Sequence, residues 1–184
     1  MRLTTKRLIL RDFTDRDKES LIKNINNIKV AKYMKLIPYP YTKKDAEWWI
    51  NKCREESKKK QRTSYNFNIE LKSQKGIIGA VGLGKIDKFN GTTTIGYWLG
   101  ENYWKQGIMS EAVKEVLNFC FNKLKLRRIN ISASPKNKAS NALIKKMGFK
   151  YEGMKRKALK MKSTGKIQDQ NIYGLLKSDW KKRK

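Results

Sequence analysis

The hydrophobic pattern of the chain changes at Tyr65, from the spacing of helices to strict alternation. Between Tyr65 and Leu71 every second residue is apolar, which is typical of a half-buried strand. Two more strand patterns follow after short turns, at 77–83 and 92–99. Three successive strands with short connections predict an antiparallel meander.

Helical patterns flank this meander on both sides. Before it, a short apolar strand at 8–11 precedes two helices, the second beginning at a capping box formed by Thr42 and Asp45. After it, the patterns predict a helix over 110–123, a strand over 128–133, a helix over 139–147, a strand over 149–154, a lysine-rich loop over 155–168 and a strand over 171–176. The predicted fold is α/β, a mixed sheet flanked by helices in the order β-α-α-β-β-β-α-β-α-β-β.

The 184 residues provide material for one domain, and 39% apolar residues are enough to fill its core. We therefore predict a single domain over 1–184 with a basic C-terminal tail at about 178–184.

Lys and Arg number 44 against 16 Asp and Glu, a formal charge of +28. This charge predicts salt-sensitive attraction to anions, RNA and the ribosome included, although lysine-rich solvated faces explain it equally well. The sequence has no recognised nucleic-acid motif.

The chain contains no histidine, which excludes Ser-His-Asp and Cys-His catalysis and histidine-based metal sites. Cys53 and Cys120 lie far apart and outside any C-x-x-C pattern, so neither a disulfide framework nor a metal site is predicted. No stretch approaches the roughly 18 apolar residues of a membrane span. We expect a cytoplasmic protein without a membrane partner; the oligomeric state is left open.

Gly107 stands between the strand at 92–99 and the amphipathic helix that follows. Backbone N–H groups and the positive end of a helix converge at such a junction and favour a phosphate. A plain strand-to-helix turn is the alternative, since one glycine before a helix is common.

Three strings, in this order, resemble the GNAT acetyltransferase superfamily in its RimJ/RimL-like branch of ribosomal-protein N-terminal acetyltransferases. They are Thr5–Arg11, the segment Ile95–Ala112, and Ala133–Gly153 with its N-x-x-S and G-F-x-x-E-G patterns. The resemblance implies a GNAT-type, mostly antiparallel central sheet. It also implies direct acetyl transfer from acetyl-CoA to an amine, without a metal.

The resemblance further implies which residues bind acetyl-CoA. Loop amides would hold the pyrophosphate, the end of the strand at 92–99 would pair with the pantetheine, and the N-x-x-S pattern would approach the sulfur. The residues so assigned are Trp98, Leu99, Gly100, Gln106, Gly107, Ile108, Met109, Ser110, Asn137 and Ser140. Met109 departs from the family pattern, which has a small residue there, so its side chain must turn away from the phosphate.

The chemistry needs a base for the amine and an acid for the leaving thiolate. Glu101 is the predicted base, with a solvated loop carboxylate as the alternative. Ser140 is the predicted acid, although a hydroxyl early in a helix can also bond backbone amides. Tyr97 and Tyr151 are reserve acids, with core packing as the alternative for each.

The acceptor is the least defined part of the sequence prediction. We expect the N-terminal α-amine of a protein, in particular a ribosomal protein. A small-molecule amine is one alternative, and a non-catalytic RNA-binding module with the same fold is another.

Overall fold

Across residues 1–182, which the computed structural model describes, an eight-stranded sheet runs in the order β1-β2-β3-β4-β5-β6-β8-β7. The strands are β1 (Arg2–Thr4), β2 (Leu8–Arg11), β3 (Tyr65–Leu71), β4 (Ile77–Leu83), β5 (Thr92–Leu99), β6 (Arg128–Ala133), β7 (Lys150–Lys160) and β8 (Ile167–Leu176). The helices are α1 (Lys18–Ile25), α2 (Ile28–Ala31), α3 (Lys43–Lys58), α4 (Ile108–Asn118), α5 (Lys138–Lys146) and α6 (Lys177–Lys181).

The predicted mixed, mostly antiparallel sheet flanked by helices is confirmed. Among the described residues β5 and β6 form the one parallel pair, and the other neighbours are antiparallel. One face of the sheet packs against α4, whose Val113, Val116 and Leu117 are buried. The other face packs against α1 and α3, where Ala46 and Ile50 are buried. No helix within residues 1–182 is long and apolar enough to cross a membrane.

Several elements differ from the sequence prediction. β1 and α2 are too short to give a periodic signal, and the predicted helix at 110–123 starts at Ile108 and ends in a π-helical turn over Phe119–Lys123. The predicted basic tail at 178–184 begins inside α6, where Trp180 is buried. Residues 183 and 184 lie outside the described part of the chain.

The lysine-rich segment 155–168, predicted as a loop, is mostly strand. β7 continues to Lys160, and β8 begins at Ile167. β7 lies at the edge of the sheet with most of its side chains exposed, so it shows no alternation of buried and exposed residues. Lysines are common on edge strands because they oppose pairing with other chains. The hairpin is therefore held by backbone pairing that the sequence pattern does not reveal.

The two central strands β5 and β6 diverge, and this opens the cleft on which the site is built. They pair only from Thr92 to Thr94 with Arg128 to Asn130. Beyond this point β5 stays with β4 as far as Leu99, and β6 stays with β8 as far as Ala133. The space between the C-terminal halves of the two strands is called the β5–β6 cleft below.

Candidate active site

The edge of β5 that faces the cleft offers backbone groups to an extended ligand. Among the described residues no strand pairs with Ile95–Leu99 on this side. Trp98 and Leu99 have buried side chains. Gly100 leaves no room for a side chain, because an added Cβ would lie 2.7 Å from Asn24 Oδ1. The carbonyl of Leu99 accepts a hydrogen bond from Trp104 Nε1 at 2.8 Å. Apart from that carbonyl, the unpaired edge suits an extended chain that carries amides, such as pantetheine.

The N-terminus of α4 offers free N–H groups beside this edge. Gly107 is the N-cap, with φ of 74° in the left-handed region that glycine enters without strain. The N–H of Glu111 bonds the Gly107 carbonyl at 3.1 Å, so Ile108, Met109 and Ser110 precede the first helical bond. Their N–H groups and the helix dipole fit a pyrophosphate.

Met109 occupies the family's small-residue position without covering the loop. The residue is only 8% exposed and belongs to the hydrophobic core on the α4 face. The bulky side chain therefore points into the protein interior, as its position in the loop requires.

Glu111, in the first turn of α4, joins that helix to the loop between β1 and β2. Its carboxylate accepts from Arg7 Nε at 2.7 Å, and Thr5 also donates to it. Burial alone would raise the pKa of Glu111, but the bonds from Thr5 and Arg7 outweigh it and lower the pKa. Arg7 also donates to the Gln106 carbonyl at 3.0 Å. The sequence prediction gave Arg7 no role, although it lies in the string Thr5–Arg11.

Tyr97 and Ser140 meet across the cleft. Their hydroxyl oxygens are 3.0 Å apart, one on β5 and the other on α5. Burial raises the pKa of Tyr97 to about 12, so the phenol keeps its proton at neutral pH. The structure thus places the reserve acid Tyr97 beside the predicted acid Ser140. Tyr151, the other reserve acid, lies on β7 with 56% of its surface exposed.

Asn137 fixes the start of α5. Its Oδ1 accepts from the Ser140 N–H at 3.2 Å, which makes it the N-cap of the helix that carries Ser140. Asn141 supports the same turn, because its Nδ2 donates to the carbonyls of Ser134 and Asn137 and its Oδ1 accepts from Tyr173 at 2.6 Å. The sequence prediction missed Asn141, whose only signal was its place directly after N-x-x-S.

Glu101 lies just past the end of β5, where its carboxylate contacts the start of α2. Lys29 Nζ donates to it at 2.6 Å and Asn27 Nδ2 at 2.7 Å. The bond from Lys29, followed by that from Asn27, lowers the pKa of Glu101, so the carboxylate is ionised at neutral pH. These partners weaken its basicity, and its role as the base stays a prediction.

Comparisons with known proteins agree with this geometry. Residues 7–150 match the family model described as an acetyltransferase (GNAT) domain. An uncharacterized N-acetyltransferase, p20 of Bacillus licheniformis, is 33% identical over 97% of both chains. The ribosomal-protein-serine acetyltransferase of Escherichia coli (strain K12) is 32% identical over 53% of each chain. The solved structure of RimL, described as a ribosomal L7/L12 α-N-protein acetyltransferase in complex with coenzyme A, shares the fold with a TM-score of 0.84 at 21% identity, covering 96% of this chain and 98% of that one.

Proposed function

We propose that this chain, which belongs to the GNAT acetyltransferase family, transfers the acetyl group of acetyl-CoA to the N-terminal α-amine of a protein. The observation that carries the proposal is the Tyr97–Ser140 hydroxyl pair, which lies between the unpaired edge of β5 and the start of α5. The similarity to a ribosomal-protein-serine acetyltransferase favours a ribosomal protein as the acceptor.

In this proposal the donor occupies the surface described above. The N–H groups of Gln106 to Ser110 bind the pyrophosphate, and the backbone of Trp98 to Gly100 pairs with the pantetheine. Arg7 supports the phosphate loop through the Gln106 carbonyl. The Asn137 carboxamide keeps Ser140 at the start of α5, near the position of the thioester sulfur.

The reaction is a direct transfer. The neutral amine attacks the thioester carbonyl, a C–N bond forms, the C–S bond breaks, and the amine loses one proton while the thiolate gains one. The Ser140 hydroxyl, backed by Tyr97, supplies the proton to the thiolate. Because the pKa of Tyr97 is about 12, the pair holds this proton at neutral pH.

The amine needs an acceptor for its proton. We propose Glu101 for this role, acting through water, because it lies at the end of the strand that lines the acetyl group. Its ion pair with Lys29 keeps it ionised and lowers its pKa, so Glu101 acts as a weak base.

A calorimetric titration with acetyl-CoA, compared with ATP at about 150 mM salt, tests the donor site. We expect one-to-one binding at least about tenfold tighter for acetyl-CoA than for ATP, since nonspecific attraction treats the two polyanions alike. An acceptor screen then compares ribosomal N-terminal peptides with small amines. Equal, salt-sensitive binding of both nucleotides would contradict the donor site and favour the RNA-binding alternative.

A further inference from the structure

The tip of the β7–β8 hairpin contacts α2 and the residues that follow it. The Lys162 N–H donates to the Lys35 carbonyl at 3.1 Å, and Ser163 Oγ donates to the Ala31 carbonyl at 3.1 Å. Gln168 Nε2 also donates to the Lys32 carbonyl at 3.2 Å. Residues 29–35 and 155–168 are called the basic bridge below.

The basic bridge adjoins the β5–β6 cleft, and its Tyr33 Oη donates to the Lys136 carbonyl, just before α5, at 3.2 Å. One end of it starts at Lys29, which is paired with Glu101 just past the end of β5. Its other end includes the first residues of β8. These residues lie beyond the end of β6, because Ala133, the last residue of β6, pairs with Asn171. In the proposed function the N-terminus of α4 binds the phosphates of the donor, so the acceptor is expected to reach Tyr97 and Ser140 from the side of this bridge.

The charge of the basic bridge is one-sided. Its 21 positions carry no Asp or Glu, and they carry nine cations: Lys29, Lys32, Lys35, Lys155, Arg156, Lys157, Lys160, Lys162 and Lys166. Three nearby carboxylates already have partners. Glu101 pairs with Lys29, Asp169 accepts from the Lys157 N–H at 2.7 Å, and Asp45 accepts from the hydroxyl of Thr42, the N-cap of α3.

A bulge in β7 lies within the basic bridge and carries part of its positive charge. The register between β7 and β8 shifts between Lys155 and Leu159, and Lys157 adopts a φ of 46° within the bulge. The bond from its N–H to Asp169 holds this conformation. Arg156 and Lys160 are exposed beside it. Such a bulge is a built feature of an edge strand, since a non-glycine residue at positive φ is unfavourable by itself.

Apolar side chains lie on or beside the bridge. Leu36 is 72% exposed and Ile167 is 60% exposed. Carboxylates or phosphates would satisfy the lysines, but exposed aliphatic groups suit the side chains of a polypeptide better than a phosphodiester chain. The combination therefore favours a peptide over RNA.

We propose that the acceptor is a polypeptide N-terminus followed within a few residues by acidic side chains, which the basic bridge binds. This inference rests on the proposed function and adds the class of acceptor. It also assigns part of the positive charge of the chain a role in selecting the acceptor, because the basic bridge repels a basic N-terminal segment.

The test uses the full chain with acetyl-CoA and three peptides that share their first two residues and continue with acidic, neutral or lysine side chains. We expect kcat/KM to be at least about tenfold higher for the acidic than for the basic peptide at about 50 mM salt, and the ratio to shrink at about 500 mM.

Two double variants with the same change in net charge locate the effect. Arg156→Glu with Lys160→Glu should abolish or reverse the preference through KM while the Kd for acetyl-CoA stays constant. Lys85→Glu with Lys88→Glu, at the other end of β4, should keep most of the preference. If the charge reversal impairs folding, the more conservative double variant Arg156→Gln with Lys160→Gln provides a second measurement of the peptide preference.

Each other outcome overturns the inference. Equal turnover of all three peptides removes the acidic preference and leaves the proposed function intact. Equal loss in the two double variants assigns the effect to net charge and not to the bridge. Acetylation of small amines but of no peptide rejects the N-terminal acceptor itself. A bridge variant that loses only the binding of a single-stranded RNA oligonucleotide assigns the bridge to RNA.

Discussion

The hydroxyl groups of Tyr97 and Ser140 lie 3.0 Å apart and link β5 to the first turn of α5 across the cleft. A buried phenol beside a helix-terminal hydroxyl forms a short chain that can hold and pass one proton. Removing either hydroxyl breaks this chain without changing the charge of the site.

Tyr97→Phe and Ser140→Ala should each lower kcat by about 10- to 100-fold and change the Kd for acetyl-CoA little, since proton transfer contributes about 10²- to 10⁴-fold. The double variant should lose much less than the product of the two single losses, because both act on one proton. Steady-state kinetics with calorimetry check this. Losses that simply multiply would contradict a shared role.

The pH dependence of the wild-type enzyme follows from the same pair. The pKa of Tyr97 is raised to about 12, so its proton is present at neutral pH and is lost only as the pH approaches that value. Below that value the rate depends on the acceptor. It should rise as the acceptor α-amine loses its proton, near its usual pKa of about 7.7–8.0. It should then stay level to about pH 10. A fall beginning near pH 8.5 in a pH–rate profile would exclude Tyr97 and Ser140 as the limiting acid.

Glu101→Gln tests the base role, with Lys29→Met as the matched control. Both variants break the ion pair between the end of β5 and α2, but only the first removes the carboxylate. We expect Glu101→Gln to lose at least about tenfold more kcat than Lys29→Met. Equal losses, measured at saturating acetyl-CoA, would assign Glu101 to holding α2 and leave water as the base.

Gly107→Ala should weaken the binding of acetyl-CoA. Nothing but Arg7 Nη2, at 3.6 Å, approaches an added Cβ, so the cost comes from the left-handed backbone. The free loop can relax from this strain, but the loop that binds phosphate must return to it, so a cost of about 1 kcal/mol weakens the Kd by about fivefold. Gly165→Ala, at a φ of 66° in the β7–β8 turn, introduces the same strain away from the loop. Calorimetry should show an unchanged Kd for this control. An equal increase in Kd for both variants would show that the substitutions act through general destabilisation.

Asp17→Asn should destabilise the fold through a buried ion pair with Arg11. The side chain of Asp17 is 2% exposed, and that of Arg11 is 14% exposed. Breaking such a pair costs about 3 kcal/mol. Asp15→Asn breaks the exposed pair with Arg54 and should cost little. Urea unfolding of both variants at pH 7 measures the difference.

The cost of Asp17→Asn should also depend on pH. Burial alone would raise the pKa of Asp17, but bonds from Arg11 and Thr14 outweigh it and lower the pKa. The contribution of the pair is therefore complete above the unfolded pKa of about 3.9 and is lost as the pH falls through the lower folded value. The difference between wild type and variant should shrink below about pH 4. A constant difference down to pH 2 would contradict the ionised pair.

The predictable parts of the fold are those with a clear hydrophobic period. β3 and β6 are predicted at their observed bounds because apolar and polar residues alternate along them, although Asn68, on the polar side of β3, is also buried. The outer part of the β7–β8 hairpin, 155–168, is predicted as a loop because an edge strand covered by lysines has no such period. Its strands are fixed by the neighbouring backbone, which the local sequence does not encode.

The sequence by itself determined the family, through motifs that lie in order along the chain, and with it the expected donor loop at Gln106–Ser110. Only the tertiary structure decided that Tyr97 faces Ser140, that Met109 turns into the core and that Glu101 pairs with Lys29. The physical reason is separation along the chain. These contacts join residues tens of positions apart or depend on where the core lies, and local patterns report only neighbours within a turn or a strand.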